Sequence, residues 1–342
     1  GGTRDWAELN CRLGAAILRE AGAMTTQITG EVIPSDDPGS FAMGIRQPCG
    51  VVFSMSPWNA PIVLSTRAFA TPLACGNTVV FKASELCPQT HAMIGEVLAE
   101  AGFPDGVATV VHNAEDGAAE MAEALIAHPA VRRVNYTGST RAGRIIAEVC
   151  ARHLKRCLLE LGGKAPLVIL DDADIAESVK AAAYGAFYNQ GQICMSTERV
   201  LVQEDIAEDF IERLAEHACA IGEGGAEAGR IGPMISEQAA QRVKALVDDA
   251  VVKGARLVCG GHQRGAWFDA TVLDGVTPDM RIYHEETFGP VASVIRYVDV
   301  EEAVSIANDT EYGLAGAVFG HDVTRALDVA RRLETGICHI NS

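Results

Sequence analysis

Residues 158–170, LLELGGKAPLVIL, set two apolar runs on either side of Gly162 and Gly163, with one carboxylate, Glu160, inside the first run. Short apolar runs bounded by glycine read as strands buried on both faces, and the Gly-Gly break reads as a passage from one unit to the next. Upstream of it, strand-like runs alternate with helical stretches: VVFSM (51–55), 60–74, NTVVFKA (77–83), 88–101, VATVV (107–111), 116–127, RRVNYTG (132–138) and 141–153. This βαβα order predicts a parallel sheet with helices on both faces, a Rossmann-like arrangement. Downstream, helices near 174–188, 205–221 and 236–253 and strands near 199–203, 256–259, 291–298 and 315–319 predict a second α/β unit.

Working outward, residues 1–24 carry Trp6, Leu9, Leu13, Ile17 and Leu18 at helical spacing, which predicts an amphipathic helix. Next, EVIPSDDPGSFAMG (31–44) places two extended segments around an Asp-Asp-Pro-Gly turn, so a protruding hairpin is expected over 30–47. The fold class expected is α/β. Residues 1–29 and 48–160 form a Rossmann-like domain, 30–47 a hairpin suited to oligomerisation, and 161–342 a second α/β domain.

The 342 residues carry 28 Lys plus Arg against 45 Asp plus Glu, a net charge of −17 that repels a polyanion and argues against nucleic acid as a partner. No apolar run reaches the length of a membrane span, and GGTRDWAELNCR is not a secretory signal. The 10 cysteines include no CxxC pair and no metal-finger spacing, which points to no metal and to free thiols in a reducing cytoplasm.

Five further stretches carry chemistry. In NQGQICMS (189–196), Cys194 follows a polar, glycine-containing loop where a thiol can be reached and its thiolate stabilised. Most cysteines are small buried hydrophobes, so its neighbours decide its reading. Glu160 inside an apolar strand would have its pKa raised by desolvation, as a base near pH 7 needs, or would point outward from a sheet end. SPWNAP (56–61) opens a helix: Asn59 reads either as its cap or as an amide donor to an oxyanion, with Pro61 at an early helical position. TGSTRAG (137–143) lets backbone amides approach a pyrophosphate. KASE (82–85) offers a cation and a carboxylate at a strand end, suited to ribose hydroxyls and unfavourable to an added phosphate, and HEETFGPV (284–291) adds Glu286 and Phe288.

In this order, SPWNAP, KASE, TGST, LELGGK, NQGQICMS and EETFGPV resemble the aldehyde dehydrogenase superfamily, over almost the whole chain from Trp6 to Asn341. The resemblance implies an NAD-dependent oxidation of an aldehyde to the acid through a thiohemiacetal and a thioester. It makes Cys194 the nucleophile, Glu160 the general base and the Asn59 amide an oxyanion donor. Lys82 and Glu85 would bind the adenosine ribose, Gly138 and Ser139 the pyrophosphate. Trp58 would flank the cofactor, and Glu286 and Phe288 would hold the nicotinamide ribose and ring. The similarity is closest to the branch acting on aromatic aldehydes such as salicylaldehyde, vanillin and benzaldehyde. Ala60, Leu64 and Arg67 share a helix face that suits such a ring, and Trp6, Tyr188 and Ile193 are further candidates for the wall or for ordinary core.

The superfamily pattern also implies chain before Gly1 and after Ser342, so the sequence reads as trimmed at both ends. An inactive, NAD-binding remnant is the alternative reading. A thiol esterase or CoA-dependent acylating relative using the same cysteine is a third. A homo-oligomer through the 30–47 hairpin is expected.

Overall fold

The structure, a computed structural model, describes residues 2–221 and 231–342. The described chain divides into two compact units, Glu8–Leu161 and Gly162–Ser342, the residues up to Ala7 grouping with the second.

In chain order the first part contains α1 (Arg4–Met24), β1 (Glu31–Ile33), β2 (Ala42–Gly44), β3 (Val51–Met55), α2 (Pro61–Ala74), β4 (Thr78–Lys82), α3 (Pro88–Glu100), β5 (Ala108–Val111), α4 (Ala118–Ala127), β6 (Val131–Thr137), α5 (Thr140–Arg152) and β7 (Arg156–Glu160). Five strands pair in parallel in the order β5-β4-β3-β6-β7. The chain therefore winds outward from β3 through β4 to β5, then returns to the other side of β3 with β6 and β7. A doubly wound sheet of this kind opens a crevice at the carboxyl ends of the two strands where the order reverses, here β3 and β6. Successive side chains of β3 serve opposite faces. Phe53 and Met55 pack with Ile126, Ile146 and Val149, and Val52 packs with Phe69, Val79 and Leu98.

Three expectations need correction in this unit. The buried face of α1 is Asn10, Gly14 and Ala21, while Leu13 and Leu18 are exposed. Close approach to α2 explains this: a Cβ at Gly14 would stand 2.9 Å from Ile62 Cγ2, so a small residue rather than a leucine must face it. Asn59 is not the cap of α2. Pro61 opens the helix, Ala60 occupies the cap position with no side-chain bond, and Asn10 Oδ1 accepts from the Val63 N–H at 3.5 Å instead. Glu160 is exposed, because it ends the edge strand β7 on the outward side of the pleat, so the expected desolvation is not supplied.

β1 and β2 pair antiparallel, Glu31 opposite Gly44, and leave Val32, Phe41 and Ile45 each about two-thirds exposed or more.

The second unit contains β8 (Ala165–Ile169), α6 (Ile175–Phe187), β9 (Thr197–Gln203), α7 (Glu204–Ala220), α8 (Glu237–Val252), β10 (Arg256–Cys259), β11 (Gln263–Arg264), β12 (Trp267–Phe268), β13 (Thr271–Asp274), α9 (Arg281–His284), β14 (Val291–Tyr297), α10 (Val300–Asn308), β15 (Ala315–Phe319), α11 (Val323–Ala330) and β16 (Ile337–Ile340). Its seven-stranded sheet runs β10-β13-β14-β9-β8-β15-β16, parallel except for the β10–β13 pair. Leu167 and Ile169 join the core under α6 and α7, and Val168 and Leu170 join the core under α8, α10 and α11. Arg199 is fully buried in this layer. Arg199 donates from Nε to the Lys164 carbonyl, from Nη1 to those of Ile306 and Asp309, and from Nη2 to that of Ala307, closing the C-terminal end of α10. Among the described residues no helix is long and apolar enough to cross a membrane.

Candidate active site

In the first unit the site is built from the loops that follow β3, β4 and β6. β4 delivers Lys82 as its last residue, buried, with Nζ 2.5 Å from Glu85 Oε1. Asn113 Nδ2 reaches the same oxygen at 2.8 Å. Burial opposes the charge on Glu85, but the bonds from Lys82, from its own backbone and from Asn113 outweigh it and hold the carboxyl below its usual value.

The backbone of that loop has its own support. The Ser84 N–H donates to His91 Nδ1 at 2.9 Å, and the ring also bonds the Pro61 carbonyl. An acceptor at Nδ1 and a donor toward a carbonyl define the neutral ring with its proton on Nε2. Burial pushes its pKa down to about 4, in keeping with that form. His91 thus ties residues 82–85 to the start of α2, two residues beyond Asn59.

After β6, the Gly138 N–H donates to the Glu160 carbonyl at 3.0 Å, and Ser139 caps α5 by accepting from Ala142 N at 3.3 Å. A Cβ at position 138 would meet the hydroxyl end of the Tyr136 side chain, so any larger residue there requires that tyrosine to shift. Asn59 is buried, Trp58 half-buried. Along α2 Ala60 is buried, Leu64 half-buried and Arg67 exposed. Two buried hydroxyls, Ser56 Oγ after β3 and Thr140 Oγ1 at the start of α5, find no partner among the described residues.

In the second unit Cys194 follows an unusual stretch. Asn189, Gln190 and Gly191 all lie in the left-handed region, with φ of 50°, 58° and 67°. Gln192 braces it, donating to the Asn189 carbonyl at 3.3 Å and accepting from Ile235 N at 2.9 Å. Side chains in the left-handed region cost free energy and persist only where the surroundings hold them. Cys194 and Ile193 are half-buried. Tyr188 stacks on Tyr184 at 4.7 Å and meets the edge of Trp6 at 5.4 Å.

Gly163 brings two candidates together. Its Cα packs against the Cys194 carbonyl with no room for a Cβ, and its N–H donates to Glu286 Oε1 at 3.1 Å. The 286–288 turn, with Phe288 at φ 47°, rests on a buried carboxylate. Glu198 accepts from Thr287 N at 2.7 Å and from Phe288 N at 3.0 Å, and pairs with Lys164 Nζ at 2.6 Å. Lys164 also reaches Thr287 Oγ1 at 3.1 Å, while Arg242 donates to the Glu286 and Thr287 carbonyls at 2.9 and 2.6 Å. Burial, and then the Glu198 charge, push Glu286 up to about 7.

Asn113, His91, Lys164, Glu198 and Arg242 were not expected as site residues. Lys164 lies inside LELGGK and Glu198 four residues past Cys194, so the signal for those two was a charge amid apolar strand residues. The other three carry no local mark.

A family model described as "Aldehyde dehydrogenase family" matches residues 1–342. This chain belongs to the aldehyde dehydrogenase family. It is 57% identical over 343 residues to a vanillin dehydrogenase of Pseudomonas fluorescens, covering 100% of this chain and 71% of that one. Among solved structures, a salicylaldehyde dehydrogenase from Pseudomonas putida G7 complexed with salicylaldehyde superposes with a TM-score of 0.98 at 50% identity, over 100% of this chain and 71% of that one. PnpE in complex with nicotinamide adenine dinucleotide superposes with a TM-score of 0.94 at 37% identity, over 100% and 71%. The aldehyde dehydrogenase family uses NAD or NADP, and this chain is an enzyme of that family.

Proposed function

We propose that this aldehyde dehydrogenase oxidises an aromatic aldehyde of the salicylaldehyde or vanillin kind to its carboxylic acid with NAD. The observation that carries the proposal is the order reversal between β3 and β6, beside which the Ser56 and Thr140 hydroxyls have no partner among the described residues. Orphaned hydroxyls beside the open N-terminus of α5 suit an anionic dinucleotide, so the residues present fit the cofactor. Ser139 and Gly138 would hold the pyrophosphate, Lys82 and Glu85 the adenosine ribose, Glu286 and Phe288 the nicotinamide ribose and ring, and Trp58 the cofactor's flank. When bound, NAD supplies the hydride acceptor. On this reading residues 48–160 serve the cofactor and 161–342 carry the nucleophile.

Cys194 adds its sulfur to the aldehyde carbon and forms a thiohemiacetal. Asn59 and the Cys194 N–H stabilise the oxyanion. Loss of hydride leaves a thioester on Cys194, and Glu160 takes the proton first from the thiol and later from the water that releases the acid. The exposure of Glu160 suits exchange of that proton with solvent. The aromatic preference is supported by the Trp6–Tyr188–Tyr184 cluster and by the two relatives named for aromatic aldehydes, with Ile193, Ala60, Leu64 and Arg67 as further candidates to meet the substrate. The exposed apolar residues of the β1–β2 hairpin would serve self-association. Ten free cysteines suit a reducing cytoplasm.

The test is a panel of aldehydes with NAD and NADP, followed at the NADH absorbance. Aromatic aldehydes should give the higher kcat/KM with NAD, and Cys194→Ser should abolish turnover. Calorimetric NAD binding with no turnover of any aldehyde would replace oxidation by binding alone.

A further inference from the structure

We propose that Asn113 is a positioning residue that sets the preference for NAD over NADP, by aiming the Glu85 carboxylate at the ribose. This rests on the reading of Lys82–Glu85 as the adenosine-ribose site. Asn113 lies beyond the end of β5 and 28 positions from Glu85, outside every motif that marks the family resemblance.

NADP differs from NAD by a phosphate on a ribose hydroxyl. A carboxylate that accepts a bond from that hydroxyl loses the bond and gains a repulsion when the phosphate is present. The discrimination therefore depends on where the carboxylate is held. Lys82 alone would leave Glu85 free to turn about its ion pair, and the ammonium could then meet a phosphate. In the structure Lys82 Nζ and Asn113 Nδ2 both meet Oε1, at 2.5 and 2.8 Å, so two donors from different strand ends fix that oxygen. Neither of them meets Oε2, the oxygen that would accept from a ribose hydroxyl on this reading.

The Asn113 amide has only one chemically consistent orientation. Its two neighbours, Glu85 Oε1 and the Ala114 carbonyl at 2.6 Å, are both acceptors, so the NH2 must face them. Its Oδ1 points the other way, buried and without a donor among the described residues.

The experiment is calorimetric titration with NAD and with NADP, without aldehyde, so that binding is read apart from turnover. Asn113→Leu keeps the volume and removes the donor, and Asn113→Ser gives a smaller replacement should the leucine not fold. The NAD over NADP ratio should fall about tenfold in either, chiefly through weaker NAD binding. Asn113→Gln, which retains an amide, should recover part of it. Glu85→Ala should collapse the ratio, and Asn113→Leu should add nothing on that background. Equal weakening of both dinucleotides, no change in either, or a full effect without Glu85 would overturn the role of Asn113 while leaving the function standing. Wild-type protein that binds neither dinucleotide would overturn the proposed function and this inference together.

Discussion

Gly163 lies directly against the Cys194 carbonyl, and the same residue donates its N–H to Glu286 at 3.1 Å, so one backbone position sets both the candidate nucleophile loop and the 286–288 turn. A methyl group at 163 would occupy the place of the Cys194 oxygen. Gly163→Ala should therefore cut aldehyde-dependent NADH formation about a hundredfold, the scale expected when a reacting group is displaced by an ångström. The circular dichroism spectrum should stay native. Full activity in that variant would show that the loop can move away without consequence.

Lys164 and Glu198 form a buried pair, and removing one charge strands the other. Glu198→Gln and Lys164→Met should each destabilise the chain by about 3–5 kcal/mol, read from urea unfolding. The double variant, which leaves no lone buried charge, should be less damaged than the sum of the two. Additive losses would mean that the pair is not coupled.

Glu286 holds its proton up to about 7 in the fold, against an ordinary value of 4.5. Between those pH values the folded chain binds the extra proton, so this group lowers stability as pH rises, with the whole cost present above about 7. Glu286→Gln should flatten that part of the urea midpoint against pH. An unchanged slope would move the effect to another group.

His91 acts with the opposite sign. Its pKa is about 4 in the fold and 6.5 ordinarily, so the unfolded chain takes up the proton first and stability is lost as pH falls from about 6.5 towards 4. His91→Asn, whose side-chain oxygen can still accept from Ser84 N, should remove that pH dependence and keep more NAD affinity than His91→Leu. Identical affinities in the two variants would separate the histidine from the 82–85 loop.

The strands of both sheets were legible because most of them are central, and burial on two faces leaves a continuous apolar run such as VVFSM or APLVI. β13, β16 and the helices α10 and α11 were not marked out in advance. They are short, and their place in the layer depends on neighbours distant in the chain. The same division holds at the site. SPWNAP, KASE and NQGQIC are local patterns and could be read as such. The supports beneath them join positions far apart, Asn113 to Glu85 or Arg242 to Thr287, and no spacing rule reports a partner 28 or 45 residues away. The errors have the same origin. Of the two readings of Asn59 the cap fails because the acceptor that meets the start of α2 sits on α1, and Leu13 is exposed because Gly14 is the residue that faces α2; neither relation is local in the sequence.

At residues 306, 307 and 309 the groups that Arg199 bonds are main-chain oxygens. Its bonds place no demand on which side chains stand there, so in a randomised library that segment should accept variety as far as its own packing allows. Position 199 should not: lysine lacks the fork needed to serve three carbonyls, and the two ends of one interaction would show opposite tolerance to change.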